Sequence, residues 1–279
     1  MDSVSKTILI TGATSGIGRA AAVQLSVLGH SVVLVGRDQG KCISASNEIY
    51  QKCGRKPTWL LADLSSMEQV RSLAREFLSR FERLDVLINN AGAVYIRRIE
   101  TPDGLEMGWA VNYFQSFLLT HLLLDKLKAS APSRIVNLSS NFHWAARLNL
   151  DNLNERGRYI GWNVYARTKL ASLYFTYELS RRLEGSSVTA NAVHPGLVAT
   201  GMGKTSGWLL KTVFRIVDLF AIPPEKGAQS LVFQALDPSL SLISGKYFSG
   251  TKLTRSSPIS YDVDNARYLW ERSWEITGI

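Results

Sequence analysis

Short apolar runs alternate along this chain with longer segments in which apolar residues recur every three or four positions. Ile8, Leu9 and Ile10 form the first run. Residues 31–36 (SVVLVG), 58–62 (TWLLA), 84–88 (LDVLI), 134–138 (RIVNL), 187–193 (SVTANAV) and 246–248 (KYF) form the later ones. Each has the length of a strand buried on both faces. The intervening spacing is helical. Residues 19–25 continue from a glycine turn, and Val70, Leu73, Phe77 and Phe81 follow a capping box of Ser66 with Gln69. A long helix is expected over 105–128, another through Leu173, Tyr177 and Leu183, and a tail helix carrying Val263, Ala266, Leu269, Trp270 and Trp274. This alternation predicts an α/β fold: a single Rossmann-type doubly wound domain over residues 1–279. Its mostly parallel sheet should have about seven strands.

The turn at residues 11–18 (TGATSGIG) joins the first strand to the first helix. Gly12, Gly16 and Gly18 carry no Cβ, so the chain can turn sharply, a pyrophosphate can approach the backbone and the helix can pack against the strand. With Thr14, Ser15 and Ile17 they open a helix whose N–H groups and dipole suit an anion. Any surface turn can hold glycines; the strand before and the helix after are what predict dinucleotide binding here.

The second strand ends at Gly36, followed by Arg37 and Asp38. An acidic tip would accept a hydrogen bond from a free ribose 2′-hydroxyl, whereas a guanidinium suits a 2′-phosphate, so Arg37 predicts NADP(H). The alternative leaves Arg37 a solvated loop charge and gives the ribose to Asp38. Asp63 and Leu64, after the third strand, stand where an adenine amino group is met, although Asp63 also reads as a turn residue. Asn89, Asn90, Ala91 and Gly92 follow the fourth strand, where the strand order should reverse. Their amides can tie strand ends together while Ala91 and Gly92 leave a cofactor room.

Asn112 falls among Val111, Phe114, Phe117 and Leu118. It must be hydrogen-bonded, either to core backbone or to an active-site water. The fifth strand ends in Ser139 and Ser140. Tyr165 and Lys169 are four apart on one helix face, where an ammonium near a phenol lowers its pKa and fits it for proton exchange. His194, Pro195 and Gly196 follow the sixth strand; His194 reads better as a strand-end residue than as a proton carrier. Residues 208–220 are predicted helical, with Lys211, Arg215 and Asp218 on one stripe and a wide apolar face elsewhere. Such a segment fits a lid over a lipophilic substrate, an oligomer contact or a patch resting on a membrane.

Composition narrows the choices. The chain is 46% hydrophobic and 20% charged, without low-complexity tracts or internal repeats. Its net charge of +9 comes from scattered lysines and arginines with no aromatic interleaving, so we expect no nucleic-acid partner. A cofactor phosphate or an anionic membrane surface is a better use of that charge. Cys42 and Cys53 fall on one expected helix, about 16 Å apart by helix rise and too far for a disulfide. The four histidines lack ligand spacing, so no metal is expected. With no room for a signal peptide before the first strand and no apolar run of membrane-spanning length, the expected location is cytoplasmic, with peripheral membrane contact through 208–220 left open.

Taken together, the glycine turn, Asp63-Leu64, Asn89 to Gly92, Asn112, the serine after the fifth strand, Tyr165-x-x-x-Lys169 and residues 194–200 (HPGLVAT) resemble the short-chain dehydrogenases/reductases in order and phase. The likeness runs from about Lys6 to the C-terminus. Residues 134–140, 179–183, 193–196 and 244–249 are most similar to the retinol dehydrogenase group. The resemblance implies Tyr165 as general acid/base and Lys169 as the group that lowers its pKa and binds the nicotinamide ribose. Ser140, rather than Ser139, would hold the substrate oxygen, and Asn112 would support a water-linked relay. Pro195, Gly196, Val198 and Thr200 would meet the nicotinamide end, and a substrate lid would span about 200–224.

Ser140 and Tyr165 are 25 positions apart, longer than in the simplest members, so 142–163 reads as an inserted loop. The N-terminal anchor of membrane-bound members is not seen in this sequence. The expected activity is NADP(H)-dependent interconversion of a lipophilic alcohol (retinoid-like, long-chain or steroid-like) and its aldehyde or ketone; a homo-oligomer is left open. Two alternatives remain: a nonenzymatic NADPH-binding scaffold, and a reductase of another carbonyl or enone class.

Overall fold

The computed structural model describes residues 5–196 and 222–279. The chain begins with β1 (Thr7–Thr11), α1 (Gly16–Val27), β2 (Ser31–Gly36), α2 (Gln39–Cys53), β3 (Thr58–Leu61), α3 (Met67–Arg80) and β4 (Val86–Asn89). Side chains alternate across a strand. In β1, Ile8 and Ile10 therefore face one layer with Ala21, Ala45 and Leu231, while Leu9 faces the other with Leu73, Phe117 and Leu170. Both layers are apolar, which is why the run carries no polar alternation.

The sheet order is β3-β2-β1-β4-β5-β6-β7-β8, with β5 at Ser133–Leu138, β6 at Val188–His194, β7 at Tyr247–Ser249 and β8 at Lys252–Thr254. Seven strands are parallel, and β8 pairs antiparallel with β7, so the sheet has eight strands rather than the expected seven. The extra strand is short and fully exposed, and it lacks the apolar run that marks the others. The order reverses between β1 and β4, both pairing in parallel, which opens the crevice where an α/β sheet receives ligands.

The helix expected over 105–128 is interrupted twice. A short α4 (Met107–Trp109) runs into a π-turn at Ala110–Phe114, where the Gln115 N–H reaches the Ala110 carbonyl five residues back. Then α5 (Gln115–Leu122) stops at Leu123 and α6 (Leu124–Ala129) follows. Apolar periodicity persists through both breaks, so the sequence pattern does not show them. The expected capping box is one-sided as well. Ser66 accepts from the Gln69 N–H at 3.4 Å, but the Gln69 side chain turns to the Asp63 N–H at 2.8 Å instead of returning to Ser66.

α7 (Gly161–Arg182) carries Tyr165 and Lys169 and is buried along most of its length. α8 (Pro224–Leu236) packs beside α1, and α9 (Val263–Thr277) covers α7. Among the described residues, no helix is long and apolar enough to cross a membrane.

Candidate active site

At the reversal of strand order, three turns converge. Gly12 and Gly16 have φ of 65° and 54°, a region that costs glycine nothing. Gly18 is fixed by packing: a Cβ there would lie 2.5 Å from the Gly12 carbonyl oxygen and collide with the Asn90 amide. Asn90 returns the contact by donating to the Thr11 carbonyl at 2.8 Å, while the Thr11 hydroxyl accepts from the Asn90 and Ala91 N–H groups, each at 3.0 Å. The turns after β1 and β4 are thus one hydrogen-bonded unit.

α1 starts without a side-chain cap at Ser15 and without an acidic residue in its first turn. In contrast, α2 is capped by Asp38 and α3 by Ser66. An uncapped helix of 12 residues opening behind a glycine turn fits a phosphate group. Thr14 packs on Gly36 so closely that a Cβ on Gly36 would lie 2.5 Å from the threonine methyl. Ile17 is buried beneath the turn.

Arg37 is exposed and forms no ion pair among the described residues. Asp38 is engaged: its carboxylate accepts from the Lys41 N–H at 3.0 Å. Asp63 folds its own turn, accepting from the Ser65 N–H at 3.0 Å and the Ser65 hydroxyl at 2.8 Å. Leu64 packs against the core below.

The chemistry-bearing side chains meet above β4 and β5. The Ser140 hydroxyl stands beside the Tyr165 phenol, near enough to ease its ionisation. Ser139 points the other way, donating to the Lys169 carbonyl at 3.0 Å, so the geometry separates the two serines. The Lys169 amine donates to the Leu138 carbonyl at 2.8 Å and lies 5.5 Å from the centre of the Tyr165 ring. Gly92 passes between Lys169 and Asn112: a Cβ there would be 3.4 Å from the amine and 3.1 Å from the Asn112 oxygen.

Asn112 sits in the π-turn and clasps Ala93 from both sides, accepting from its N–H at 2.7 Å and donating to its carbonyl at 3.0 Å, with a further bond to Thr168 at 3.2 Å. All its polar atoms are therefore bonded to protein. Its visible role is to hold the turn after β4 against α7, the core-backbone use the sequence left open. Pro195 and Gly196 follow β6, with Gly196 at φ 95° beside Ile222. Val198, Thr200, most of the expected lid at 200–224 and the segment 208–220 lie outside the described residues.

In one respect the electrostatics differ from the sequence expectation. Burial pushes the Tyr165 phenol up to about 12, offset only in part by the Ser140 hydrogen bond. The same desolvation brings the Lys169 amine down to about 8. Desolvation thus dominates both shifts. A phenol at about 12 is protonated at neutral pH, the form that donates to a carbonyl oxygen. Burial, with His143 next, also brings His194 down to about 4, leaving it uncharged.

The depressed lysine has a measurable consequence. Between pH 8 and 10 the unfolded chain holds a proton on Lys169 that the folded chain has released, so stability rises with pH there and the cost of the buried ammonium is fully present below pH 8. Compared with Lys169→Met, wild type should gain on the order of 3 kcal/mol across that window. Melting temperatures of the two proteins as a function of pH test this, and a flat difference curve would contradict the buried charge.

Several supporting residues escaped the sequence pattern. Glu106, fully buried, caps α4 through the Trp109 N–H at 2.9 Å and accepts the Tyr159 hydroxyl at 3.0 Å. The Tyr95 carbonyl lies at the same 3.0 Å from that hydroxyl, whose one proton the two acceptors share. Glu155 accepts from the Trp109 indole at 3.1 Å and pairs with Arg167. His143 is held between the Ser140 carbonyl at 2.6 Å and the Ser257 N–H at 3.0 Å. Residues from the stretch 142–163 thereby brace the elements that carry Ser140, Asn112 and Tyr165. Only the Glu106-to-Trp109 spacing of a helix cap was readable beforehand.

A doubly wound sheet, a glycine turn opening an uncapped helix and a serine–tyrosine–lysine cluster follow the pattern of the short-chain dehydrogenases. The chain belongs to that family: the profile described as short chain dehydrogenase matches residues 6–207. Within it the chain falls in the retinol dehydrogenase group. Retinol dehydrogenase 13 of Homo sapiens is 41% identical over 98% of this chain and 85% of its own length, and retinol dehydrogenase 14 of Homo sapiens is 40% identical over 98% and 87%. Among solved structures, an uncharacterised protein from Mycobacterium paratuberculosis aligns with a TM-score of 0.78 at 33% identity, covering 98% of this chain and 93% of that one. A chain described as a short chain dehydrogenase from Escherichia coli CFT073, complexed with NADPH, aligns with a TM-score of 0.71 at 25% identity, covering 88% of this chain and 97% of that one.

Proposed function

We propose that the protein interconverts a lipophilic alcohol and its aldehyde or ketone with NADP(H). The observation that carries this reading is the buried Lys169 amine 5.5 Å from the centre of the Tyr165 ring, with Ser140 beside the phenol, at the reversal of strand order. Bound there, the nicotinamide supplies or takes up the hydride. Ser140 polarises the carbonyl oxygen and Tyr165 delivers the proton to it. Lys169 holds the nicotinamide ribose and, when charged, favours the phenolate that oxidation requires. Asn112 keeps the Gly92 turn open beside them. Gly12, Thr14, Ser15, Gly16, Ile17 and Gly18 receive the pyrophosphate, Asp63 and Leu64 the adenine, Asn90 to Gly92 the central part of the cofactor, and Pro195, Gly196, Val198 and Thr200 its nicotinamide end.

Preference for the phosphorylated cofactor rests on Arg37. Asp38 is occupied as a helix cap, which supports the guanidinium as the partner of a 2′-phosphate. Arg37→Ala should raise the KM for NADPH about ten- to a hundredfold while that for NADH stays within about twofold. Steady-state kinetics with both cofactors measure it, and an unchanged preference would remove the assignment. A lipophilic substrate is supported by the names of the relatives, which are retinol dehydrogenases. Peripheral contact with an anionic membrane surface accords with the net charge of +9. Screening retinoid-like, long-chain and steroid-like carbonyls by NADPH oxidation tests the activity; tight NADPH binding without turnover of any of them would favour a nonenzymatic scaffold.

A further inference from the structure

Two aromatic residues from the stretch between Ser140 and Tyr165 are unaccounted for by proton transfer. Phe142 and Trp162 stack with ring centres 5.4 Å apart and planes 23° apart. Both present themselves to the Tyr165 ring nearly at right angles, Phe142 at 5.8 Å and Trp162 at 6.2 Å. Phe142 follows Ser140 by two residues, and its N–H donates to the Ser140 hydroxyl oxygen at 3.4 Å. Trp162 sits in the first turn of α7, just before Tyr165. The stack therefore borders the place where the two hydroxyls receive an oxygen.

Phe142 retains 43% of its exposure despite this packing. A phenyl group gains by being covered, and an aromatic surface is covered best by another flat π-system in offset contact. A puckered aliphatic ring of equal carbon number cannot match that contact. We propose that Phe142 and Trp162 select planar aryl carbonyl compounds, whose ring extends the stack while the oxygen rests on Ser140 and Tyr165. The inference rests on the oxidoreductase reading above and names the part of the lipophilic class that it favours. It adds no bond-making step: the hydride still goes to the carbonyl carbon and the Tyr165 proton to the oxygen.

Naphthaldehyde and its fully saturated decalin counterpart share a carbon skeleton and differ in flatness, so they isolate the effect. Their kcat/KM ratio should fall about three- to tenfold in Phe142→Leu and in Trp162→Leu, through the KM of the aryl substrate. The intrinsic reactivity difference between the aldehydes is common to all variants and cancels. Leucine preserves an apolar side chain, and retained NADPH binding and melting temperature verify the fold. Binding of naphthylmethanol to the NADPH-loaded enzyme, which cannot react, should weaken by the same factor. If both aldehydes are reduced and the ratio is the same in all three proteins, the inference is overturned and the oxidoreductase reading stands. If folded, NADPH-binding wild type reduces neither these nor any long-chain or steroid carbonyl, the oxidoreductase reading fails and takes the inference with it.

Discussion

Tyr165→Phe should lower kcat about 10²- to 10⁴-fold, the usual contribution of a positioned proton donor, while leaving NADPH bound. The substitution removes one buried oxygen and keeps the ring, so the edge-on contacts with Phe142 and Trp162 survive. Lys169 does not depend on that oxygen for its hydrogen bond, which goes to the Leu138 carbonyl. The expected signature is therefore lost turnover with cofactor affinity held within about threefold, read by single-turnover hydride transfer and by NADPH fluorescence titration. Turnover near the wild-type rate would end the assignment of the proton to Tyr165.

Gly161→Ala should also be damaging, at a position with no chemistry of its own. A Cβ there would fall well inside contact distance of the Tyr95 carbonyl oxygen, 2.9 Å from its carbon and 3.0 Å from the Ile96 Cα. All three are backbone atoms, which cannot swing aside as a side chain would. Either α7 or the 95–96 segment must move. Overpacking of this kind costs about 1–3 kcal/mol, and the displaced first turn of α7 carries Tyr165 with it. We expect a lower urea midpoint together with a kcat reduced about tenfold or more, since small misplacements of reacting groups are expensive. An unchanged midpoint and kcat would mean that the segments separate freely.

The two substitutions mark what was legible in the sequence and what was not. The parallel strands show as unbroken apolar runs such as Ile8 to Ile10, whereas the spacing of Tyr165 and Lys169 puts them on one helix face as it does many surface pairs, and only the ordered motifs around them single them out as candidates. Gly161 carries no such mark, because its requirement comes from a carbonyl 66 residues earlier in the chain. The Tyr159–Glu106 hydrogen bond, spanning 53 positions, is hidden for the same reason. The π-turn at Ala110–Phe114 was masked by apolar periodicity that a continuous α-helix would share. The direction of the Tyr165 shift could not be read from Lys169 alone, since it depends on how deeply both groups are buried. Local patterns thus supplied the candidate residues and their order, while long-range packing determined their ionisation and support.

The short antiparallel strand β8 bears on how this molecule behaves among its neighbours. Without it, the border of the sheet would be β7, whose Tyr247 and Phe248 would offer a sticky ribbon to any passing chain. With it, the border is three exposed residues beginning with Lys252. Brief, charged borders discourage intermolecular β-pairing, so the hairpin acts as a built-in guard against aggregation while the protein is being made and stored.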